Sequence, residues 1–392
     1  MDISTFFEPL DPEEFPESGE TTGQARLGNI IRIHTAGSGM PDHTACNLAL
    51  IGVTDDRRSV GNQGCGLAPN TVRKYLYRLN AGPYLLNMVD LGNIRNGFTY
   101  SDTYFALSSV VAELVENNVI PVILGGSQDL TFANYQAYQS LGQIINIVAV
   151  DPMFDLGKSE EEINAQSYLS SIILHQPNYL FNYANIGYQT YFVDQDALRL
   201  MKNLFFDTYR LGIVRETLEE VEPIVRNADM LTFDISAVRG SDAPGNANAT
   251  PNGFYGEEAC QIVRYAGLSD KLTSIGFYEV NPKHDRAGQT AHLVAQMIWY
   301  FIDGYYNRAH DFPFRNESDY MKYRVSIKDH KEEIVFYKSK KTDRWWMEIP
   351  LPAEQRIRYE RHYLVPCSYK DYQVACENDI PDRWWMVYQK LM

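Results

Sequence analysis

The sequence has few cysteines and no long apolar run. Its five cysteines are odd in number, scattered and without a CxxC pair, so neither a disulfide framework nor a zinc knuckle is indicated. No stretch of about 18 apolar residues, which a membrane-spanning helix needs, occurs, and the acidic N-terminus lacks the apolar core of a secretory signal. We therefore expect a cytoplasmic protein that does not insert into a membrane.

Positive charge is also scarce. Lys and Arg number 35 against 50 Asp and Glu, which gives a formal net charge of -15. A field of this sign repels the phosphate backbone of DNA or RNA, so the composition predicts no nucleic-acid partner. The chain is 45% apolar and 22% charged, which is typical of a folded globular protein.

Short apolar runs alternate with helix-length segments such as 101–117 and 286–306. The runs are 46–53, 120–126, 144–150, 182–188, 228–236 and 272–280. Alternating strands and helices predict an α/β fold, here a three-layer αβα sandwich with a mainly parallel sheet. We divide the chain into an N-terminal arm (1–44), an αβα domain (45–310) and a C-terminal extension (311–392).

The C-terminal extension contains two similar pentapeptides, 343–347 and 382–386, each reading Asp-Arg-Trp-Trp-Met. They contain four of the five tryptophans of the chain, Trp345, Trp346, Trp384 and Trp385. In one interpretation these rings pack onto the main domain or a neighbouring subunit. In the other they form a docking surface, because amphipathic rings are frequent in interface hot spots. We treat the four tryptophans as candidate interaction residues.

Polar residues follow several predicted strands directly. In a parallel sheet the binding crevice lies beyond the carboxyl ends of the strands, so these residues are candidates for a site. They are Gly125 to Asp129, Asp151 to Asp155, Asp234 to Ser236, and Glu279.

These motifs resemble those of the ureohydrolase family, which includes arginase, agmatinase and formimidoylglutamase. Gly125 to Gln128 matches the family's GGxH, Asp151 to Asp155 its DxHxD, and Asp234 to Ser236, leading to Asp242 to Gly245, its DxDxxDP…PG. The resemblance extends over about 45–308 with order and spacing preserved. It implies an arginase-like fold with two manganese ions and a bridging hydroxide that attacks a guanidinium or formimino carbon.

The resemblance also implies which ligands differ. The family holds its two ions with Asp and His side chains, because hard divalent cations favour carboxylate and imidazole ligands. Here glutamine replaces the first histidine, methionine the second, and serine the second Asp of DxD. The vestigial metal-site positions are Gln128, Asp151, Met153, Asp155, Asp234 and Ser236.

The two ions would be affected unequally. The second ion depends on the positions of Met153 and Ser236, so we expect its site to be lost. Asp151, Asp155 and Asp234 remain, and with the glutamine amide they could hold one ion. The cofactor prediction is therefore no dinuclear centre, and at most one divalent cation, Mn or Mg.

Clustered carboxylates without a cation repel one another, which leaves three outcomes: raised pKa values, one bound ion, or a basic side chain in the vacancy. Arg239 is the candidate basic side chain. Glu279 matches the family glutamate on the substrate side, although a surface or helix-capping carboxylate is the alternative. His175 is a weak catalytic candidate, because Gln176 follows it where relatives have glycine.

Three functions remain open at this point. The first is a catalytically inactive ureohydrolase homologue, a pseudoenzyme with a binding, scaffold or partner-interaction role, involving an unidentified protein partner or a homo-oligomer. The second is a formimidoylglutamase-like hydrolase that cleaves a formimino or guanidino C–N bond with one metal or none. The third is a metal-free pocket that senses a small guanidino or formimino ligand.

Overall fold

The computed structural model describes residues 2–15, 26–157, 162–312, 317–328 and 333–391. Within these ranges the chain forms one ten-stranded sheet flanked by helices and a separate four-stranded sheet. The strands are β1 (Phe7–Glu8), β2 (Arg32–Ile33), β3 (Leu48–Val53), β4 (Met88–Ile94), β5 (Ile120–Leu124), β6 (Ile145–Val150), β7 (Leu180–Tyr188), β8 (Asp207–Arg210), β9 (Met230–Asp234), β10 (Ser274–Tyr278), β11 (Tyr320–Val325), β12 (Ile334–Ser339), β13 (Trp345–Glu348) and β14 (Leu364–Cys367).

The large sheet has the strand order β1-β4-β3-β5-β10-β9-β6-β7-β8, and β2 also pairs with β4. All pairings are parallel except that between β1 and β4. Every residue of β3, β5 and β6 is buried, as expected for strands covered on both faces. Each of the six predicted strands is confirmed, whereas the short β1, β2 and β8 were not predicted.

Helices cover both faces of the sheet. They are α1 (Leu27–Ile30), α2 (Ala68–Leu76), α3 (Tyr100–Glu116), α4 (Leu130–Ser140), α5 (Tyr168–Leu174), α6 (Gln195–Asn203), α7 (Leu211–Glu216), α8 (Val221–Arg226), α9 (Gly256–Gly267), α10 (Gln289–Tyr306), α11 (Ala353–Arg358), α12 (Tyr369–Cys376) and α13 (Asp382–Leu391). Leu48 and Leu50 of β3 belong to the apolar core with α2, α9 and α10, whereas Ala49 and Ile51 belong to the core with α3 and α4. This alternation confirms the three-layer αβα sandwich.

The described parts of the N-terminal arm add strands to the large sheet. Phe7 and Glu8 of β1 pair with Ile94 and Asn93, and β2 pairs with the beginning of β4. Residues 16–25 of the predicted arm lie outside the described residues. The arm therefore contributes directly to one edge of the sheet.

The C-terminal extension forms an antiparallel sheet, β11 to β14, with α11, α12 and α13. The two pentapeptides have different structures in it. Trp345 to Met347 of the first copy lie in strand β13, whereas the whole second copy lies in helix α13. The repeat in the sequence is therefore not a repeated structural unit.

Three of the four candidate interaction tryptophans are buried within the protein. Trp345 and Trp384 belong to the core of the extension, and Trp346 is only 1% exposed beneath the guanidinium of Arg226 of the main domain. The docking interpretation is wrong for these three, because their faces already contact protein. Trp385 alone is exposed among the four.

The extension contacts the main domain at the amino ends of the central strands. Arg361 Nε donates to Asp229 Oδ1 at 3.0 Å, directly before β9. Lys271 Nζ lies 3.6 Å from Asp229 Oδ2, near the start of β10. Burial opposes ionisation of Asp229, but the two cations outweigh it and hold its pKa below the ordinary value. This pairing holds the extension at the amino ends of the central strands, whereas the predicted site lies at their carboxyl ends.

In the part of the chain that the structure describes, none of the helices has both the length and the apolar character needed to cross a bilayer.

We predict that Asp229→Ala lowers the free energy of unfolding by about 3 kcal/mol, because it leaves Lys271 buried without its carboxylate. Urea denaturation monitored by circular dichroism would measure the change. Asp196→Ala is the control: Asp196 and Arg199 form an exposed ion pair, whose loss should have little effect. Equal effects of the two substitutions would show that the Asp229 pairing does not hold the extension in place.

Candidate active site at the carboxyl ends of the central strands

The predicted site residues converge at one edge of the large sheet. They follow four neighbouring strands, which lie in the order β5-β10-β9-β6. Gln128 follows β5, Glu279 follows β10, Asp234 and Ser236 lie at the end of β9, and Asp151, Met153 and Asp155 follow β6. All of these side chains are buried except that of Met153, which is half-buried. The carboxyl ends of the parallel strands thus form the predicted site.

Short turns orient two of the aspartates. Asp151 Oδ1 accepts a hydrogen bond from the Met153 N–H at 2.7 Å, and Asp234 Oδ1 accepts one from the Ser236 N–H at 2.6 Å. Bonds of this type to a residue two positions on are typical of aspartate in turns. They occupy one oxygen of each carboxylate, and Asp151 Oδ2 is buried without a hydrogen-bond partner among the described residues.

The backbone beside the site is tightly packed. A Cβ atom at Gly126 would come within 2.0 Å of the Asp55 carbonyl oxygen, so only glycine fits this position. The tight turn after β5 therefore has a packing function, whatever chemistry the neighbouring Gln128 provides.

Glu279 lies within the same cluster. Its Oε1 accepts from the Gln128 N–H at 2.9 Å, and its Oε2 accepts from Asn62 Nδ2 at 2.7 Å. Its φ of +64° is unusual for a glutamate and is held by hydrogen bonds from Asn62 and Asn246 to its carbonyl oxygen. Glu279 is thus neither a surface group nor a helix cap.

The four carboxylates retain protons more strongly than ordinary ones. Burial and the nearby charge of Asp234 raise the pKa of Asp151 to about 8 and that of Glu279 to about 8. Burial raises the pKa of Asp234 to about 6. Burial and the charge of Asp151 raise the pKa of Asp155 well above its ordinary value. These raised pKa values agree with the first of the three expected outcomes.

The candidate basic side chain does not enter the cluster. Arg239 Nε lies 2.9 Å from Asp242 Oδ1, and its guanidinium lies 3.8 Å from the centre of the Tyr255 ring. The prediction that Arg239 compensates Asp234 is therefore wrong, since the side chain is occupied by nearer partners. Among the described residues, the charges that shift the pKa of Asp151 and Asp155 are other carboxylates, without a Lys or Arg.

His175 is also elsewhere. Its Nε2 lies 2.5 Å from Gln139 Oε1, and its ring packs edge-on against Phe132 and Tyr135. None of these partners belongs to the carboxylate cluster. The weak prediction of a catalytic role for His175 is therefore not supported by its position.

Several polar residues of the site were not predicted. Asn62 lies in a Gly-rich segment and holds Glu279, but nothing in its spacing indicated that role. Tyr168 of α5 lies beside Gln128, and Tyr183 and Asn185 of β7 lie beside Asp151 and Met153. Their tertiary contacts, rather than a local pattern, bring them to the site.

The side chains present do not fit a two-manganese centre. The thioether of Met153 and the neutral hydroxyl of Ser236 are poor partners for a hard cation. Gln128 Nε2 donates to Thr232 Oγ1 at 2.9 Å, so only the amide oxygen of Gln128 is left as a ligand atom. Within the described ranges, no group of three or more His, Cys, Asp or Glu side chains is arranged to hold a metal ion. Gln128 Oε1 and Asp151 Oδ2 are buried acceptor oxygens without a hydrogen-bond partner there.

A parallel αβα sandwich with this set of motifs at its carboxyl edge defines a protein of the ureohydrolase class. The family model of the Arginase family matches residues 46–303, so the chain belongs to the Arginase family.

The chain is similar to formimidoylglutamases in particular. It is 26% identical over 307 residues to the formimidoylglutamase of Geobacillus kaustophilus (strain HTA426). This alignment covers 71% of this chain and 94% of the relative. A similar match, 24% over 282 residues, covers 68% of this chain and 88% of the formimidoylglutamase of Photorhabdus laumondii.

Solved structures show the same fold. The formimidoylglutamase of Bacillus subtilis superposes with a TM-score of 0.66 at 19% identity, covering 75% of this chain and 96% of that one. The Trypanosoma cruzi formiminoglutamase solved with Mn²⁺ gives 0.64 at 18% identity, covering 73% and 100%. About a quarter of this chain therefore has no counterpart in either structure.

We predict that the folded chain loses stability as the pH rises from about 5 to 8 in buffer containing EDTA. The folded-state pKa values of Asp151 and Glu279 are about 8, above unfolded values of about 4. The resulting stabilisation is complete below the unfolded pKa and is lost as the pH passes the folded pKa. Urea denaturation should show that the free energy of unfolding falls by up to about 1.4 kcal/mol per pH unit for each proton that the cluster retains.

The double variant Asp151→Asn, Glu279→Gln is the control for this pH dependence. Its amides do not titrate, so its free energy of unfolding should fall less steeply over the same range. Parallel profiles for the variant and the natural chain would contradict the proton retention of the cluster.

Proposed function

We propose that this protein binds a small formimino or guanidino compound at the carboxylate cluster and does not use two-manganese hydrolysis. The observation that supports this proposal is the burial of Asp151, Asp155, Asp234 and Glu279 together, without a neighbouring Lys or Arg that shifts the pKa of Asp151 or Asp155. An uncompensated cluster of this kind favours any ligand that brings positive charge and hydrogen-bond donors.

Amidinium and guanidinium groups have the chemistry that this cluster favours. Each is planar and cationic, and each presents N–H groups in a fork that matches a carboxylate. Asp151 Oδ2 is a buried acceptor that such a donor would satisfy. Binding would displace the protons that the cluster retains, so affinity should increase as the pH rises toward 8.

The chemistry of the cluster differs from that of a hydrolase in one respect. Hydrolysis of a formimino carbon needs an activated water, and a dinuclear centre supplies it by lowering the water pKa with two cations. Asp151 and Asp155 favour their protonated forms at neutral pH, whereas Asp234, with a pKa of about 6, is mostly ionised. Under the proposed binding function, a formimino compound is held in the site and released intact.

We also propose that the protein works in a reducing compartment such as the cytoplasm. All five cysteines are free, and four of them are buried, which suits a compartment without disulfide formation. A scaffold role or self-association belongs to the same proposal, since the extension adds surface that lies entirely outside the family match.

Ligand binding can be measured by calorimetry with N-formimidoyl-L-glutamate in buffer containing EDTA. L-Glutamate is the matched control, because it has the same acid groups but no formimino cation. We predict that the formimino compound binds and raises the melting temperature, that glutamate does neither, and that Asp234→Asn weakens binding at least about tenfold. The exposed Asp196→Asn should leave it unchanged. Equal binding of both compounds would exclude recognition by the cluster.

A second function, hydrolysis with one divalent cation, is favoured by the formimidoylglutamase relatives. It differs in two measurable ways. The purified protein would contain about one equivalent of Mn or Mg by plasma mass spectrometry, and it would release L-glutamate from the formimino compound. Two equivalents of manganese together with turnover would refute the proposed binding function.

We predict that the triple variant Gln128→His, Met153→His, Ser236→Asp binds about two equivalents of manganese, because it restores the ligand types that hard divalent ions favour. Metal content after dialysis would measure this. The single variant Gln128→His should bind less than two equivalents of manganese. No gain in the triple variant would mean that the surrounding residues no longer orient the ligands.

A further inference from the structure

Five buried oxygen atoms without a hydrogen-bond partner lie near the carboxyl ends of β6 and β7. Each belongs to a side chain that is at most 1% exposed. Among the described residues these unpaired oxygens are Gln128 Oε1, Asp151 Oδ2, Tyr168 Oη, Tyr183 Oη and Asn185 Oδ1. A group of unsatisfied polar atoms is costly in a protein interior, and it indicates a bound water or ion.

The strand β7 supplies two of these oxygens. Tyr183 and Asn185 are two positions apart in β7, so their side chains point to the same face of the sheet. Asn185 Nδ2 donates to the Met153 carbonyl oxygen at 2.7 Å, and the Asp151 N–H donates to the Ile186 carbonyl oxygen at 3.1 Å. These bonds hold the end of β7 against the loop that follows β6.

Helix α5 covers this face of the sheet. Its first residue is Tyr168, and the N–H of the next residue, Leu169, donates to the Asp155 carbonyl oxygen at 3.2 Å. Tyr168 lies beside Gln128 and Tyr183, and the two tyrosines belong to one buried cluster. Burial raises the pKa of both hydroxyls, and nearby carboxylate charges raise it further. Both hydroxyls therefore stay uncharged.

The types of these oxygens favour a monovalent cation. Four of them are neutral, two from amides and two from phenols, and Asp151 alone among the five side chains is acidic. Divalent ions bind more tightly as the ligand charge increases, and Mg²⁺ also gives up its water reluctantly. Neutral oxygen dipoles instead suit K⁺, whose hydration shell they replace in selective channels. A water molecule would pair the oxygens but would bring no positive charge to a buried carboxylate.

We propose that a potassium ion binds beside Asp151 and is held by the four neutral oxygens, which are Gln128 Oε1, Tyr168 Oη, Tyr183 Oη and Asn185 Oδ1. The ion pairs these oxygens and places a positive charge next to the carboxylate. Three of the four ligand residues lie outside the family motifs, so the site differs from the two manganese positions. The inference does not depend on the proposed function, because it concerns an inorganic ion and is tested without an organic ligand.

The first test compares melting temperatures of the full chain in potassium acetate and in tetramethylammonium acetate, at equal ionic strength and with EDTA. Potassium should raise the melting temperature by at least about 2 °C, because an ion that binds only the folded chain stabilises it. Lithium acetate should match tetramethylammonium acetate, because the small Li⁺ ion does not fit oxygens arranged for K⁺.

The variant Tyr183→Phe removes one of the four ligand oxygens. In tetramethylammonium acetate it should be neutral or stabilising, because it removes a buried hydroxyl without a partner. In potassium acetate it should lose most of the potassium-dependent rise. Tyr138→Phe is the matched control: Tyr138 is equally buried, and its hydroxyl donates to Ser274 Oγ at 2.8 Å. The control should lower the melting temperature equally in both salts.

Thallium(I) is the direct probe, because its size and charge are close to those of K⁺ and its anomalous scattering marks its position. Crystals soaked in thallium acetate should show an anomalous peak beside Tyr183 and Asn185. The proposal is overturned if potassium gives no rise, if lithium gives the same rise, or if Tyr183→Phe keeps the full rise. Density that refines as water, without an anomalous peak between these side chains, would overturn it as well.

Discussion

The site depends on one constraint, which is the burial of several carboxylates together at the carboxyl ends of the central strands. Parallel strands bring Asp151, Asp234 and Glu279 together because their carboxyl ends coincide. Burial disfavours their charge, and each ionised member disfavours the others. The charge must be balanced by protons, a metal ion or a cationic ligand. Under the proposed function, protons and an organic cation balance this charge.

Much of the fold was predictable from the sequence because burial on both faces leaves a clear apolar run in each central strand. The position of the acidic residues was predictable as well, since Asp151 and Glu279 directly follow such runs and Asp234 ends one. Its details were not. The hydrogen bonds from Asn62 and Asn246 to Glu279 join residues far apart in the chain. Arg239 was assigned to Asp234 by proximity in sequence, but the nearer Asp242 and the Tyr255 ring hold it.

The repeated pentapeptide shows a second limit of sequence patterns. The same five residue types form a strand at Trp345 and a helix at Trp384, because local propensities of this size are readily outweighed by tertiary packing. Both copies nonetheless use arginine in one way: Arg344 pairs with Glu222 and Arg383 with Glu220. The tryptophans were interpreted either as packing onto the main domain or a neighbouring subunit, or as a docking surface. Trp346 packs beneath Arg226 of the main domain, whereas Trp345 and Trp384 are buried in the core of the extension itself.

Asp229 and Asp151 show how the amino and carboxyl ends of the central strands differ. Both carboxylates are fully buried, but Lys271 and Arg361 lower the pKa of Asp229, whereas other carboxylates raise that of Asp155 and Asp151. At the amino ends of the strands the negative charge of Asp229 is therefore balanced by basic side chains, and this pairing holds the extension in place. At the carboxyl ends of the strands, burial and mutual repulsion favour the protonated forms of Asp151 and Asp155. Ligand residues at the carboxyl edge could change without loss of the fold, because the interactions that stabilise the domain junction lie at the opposite edge.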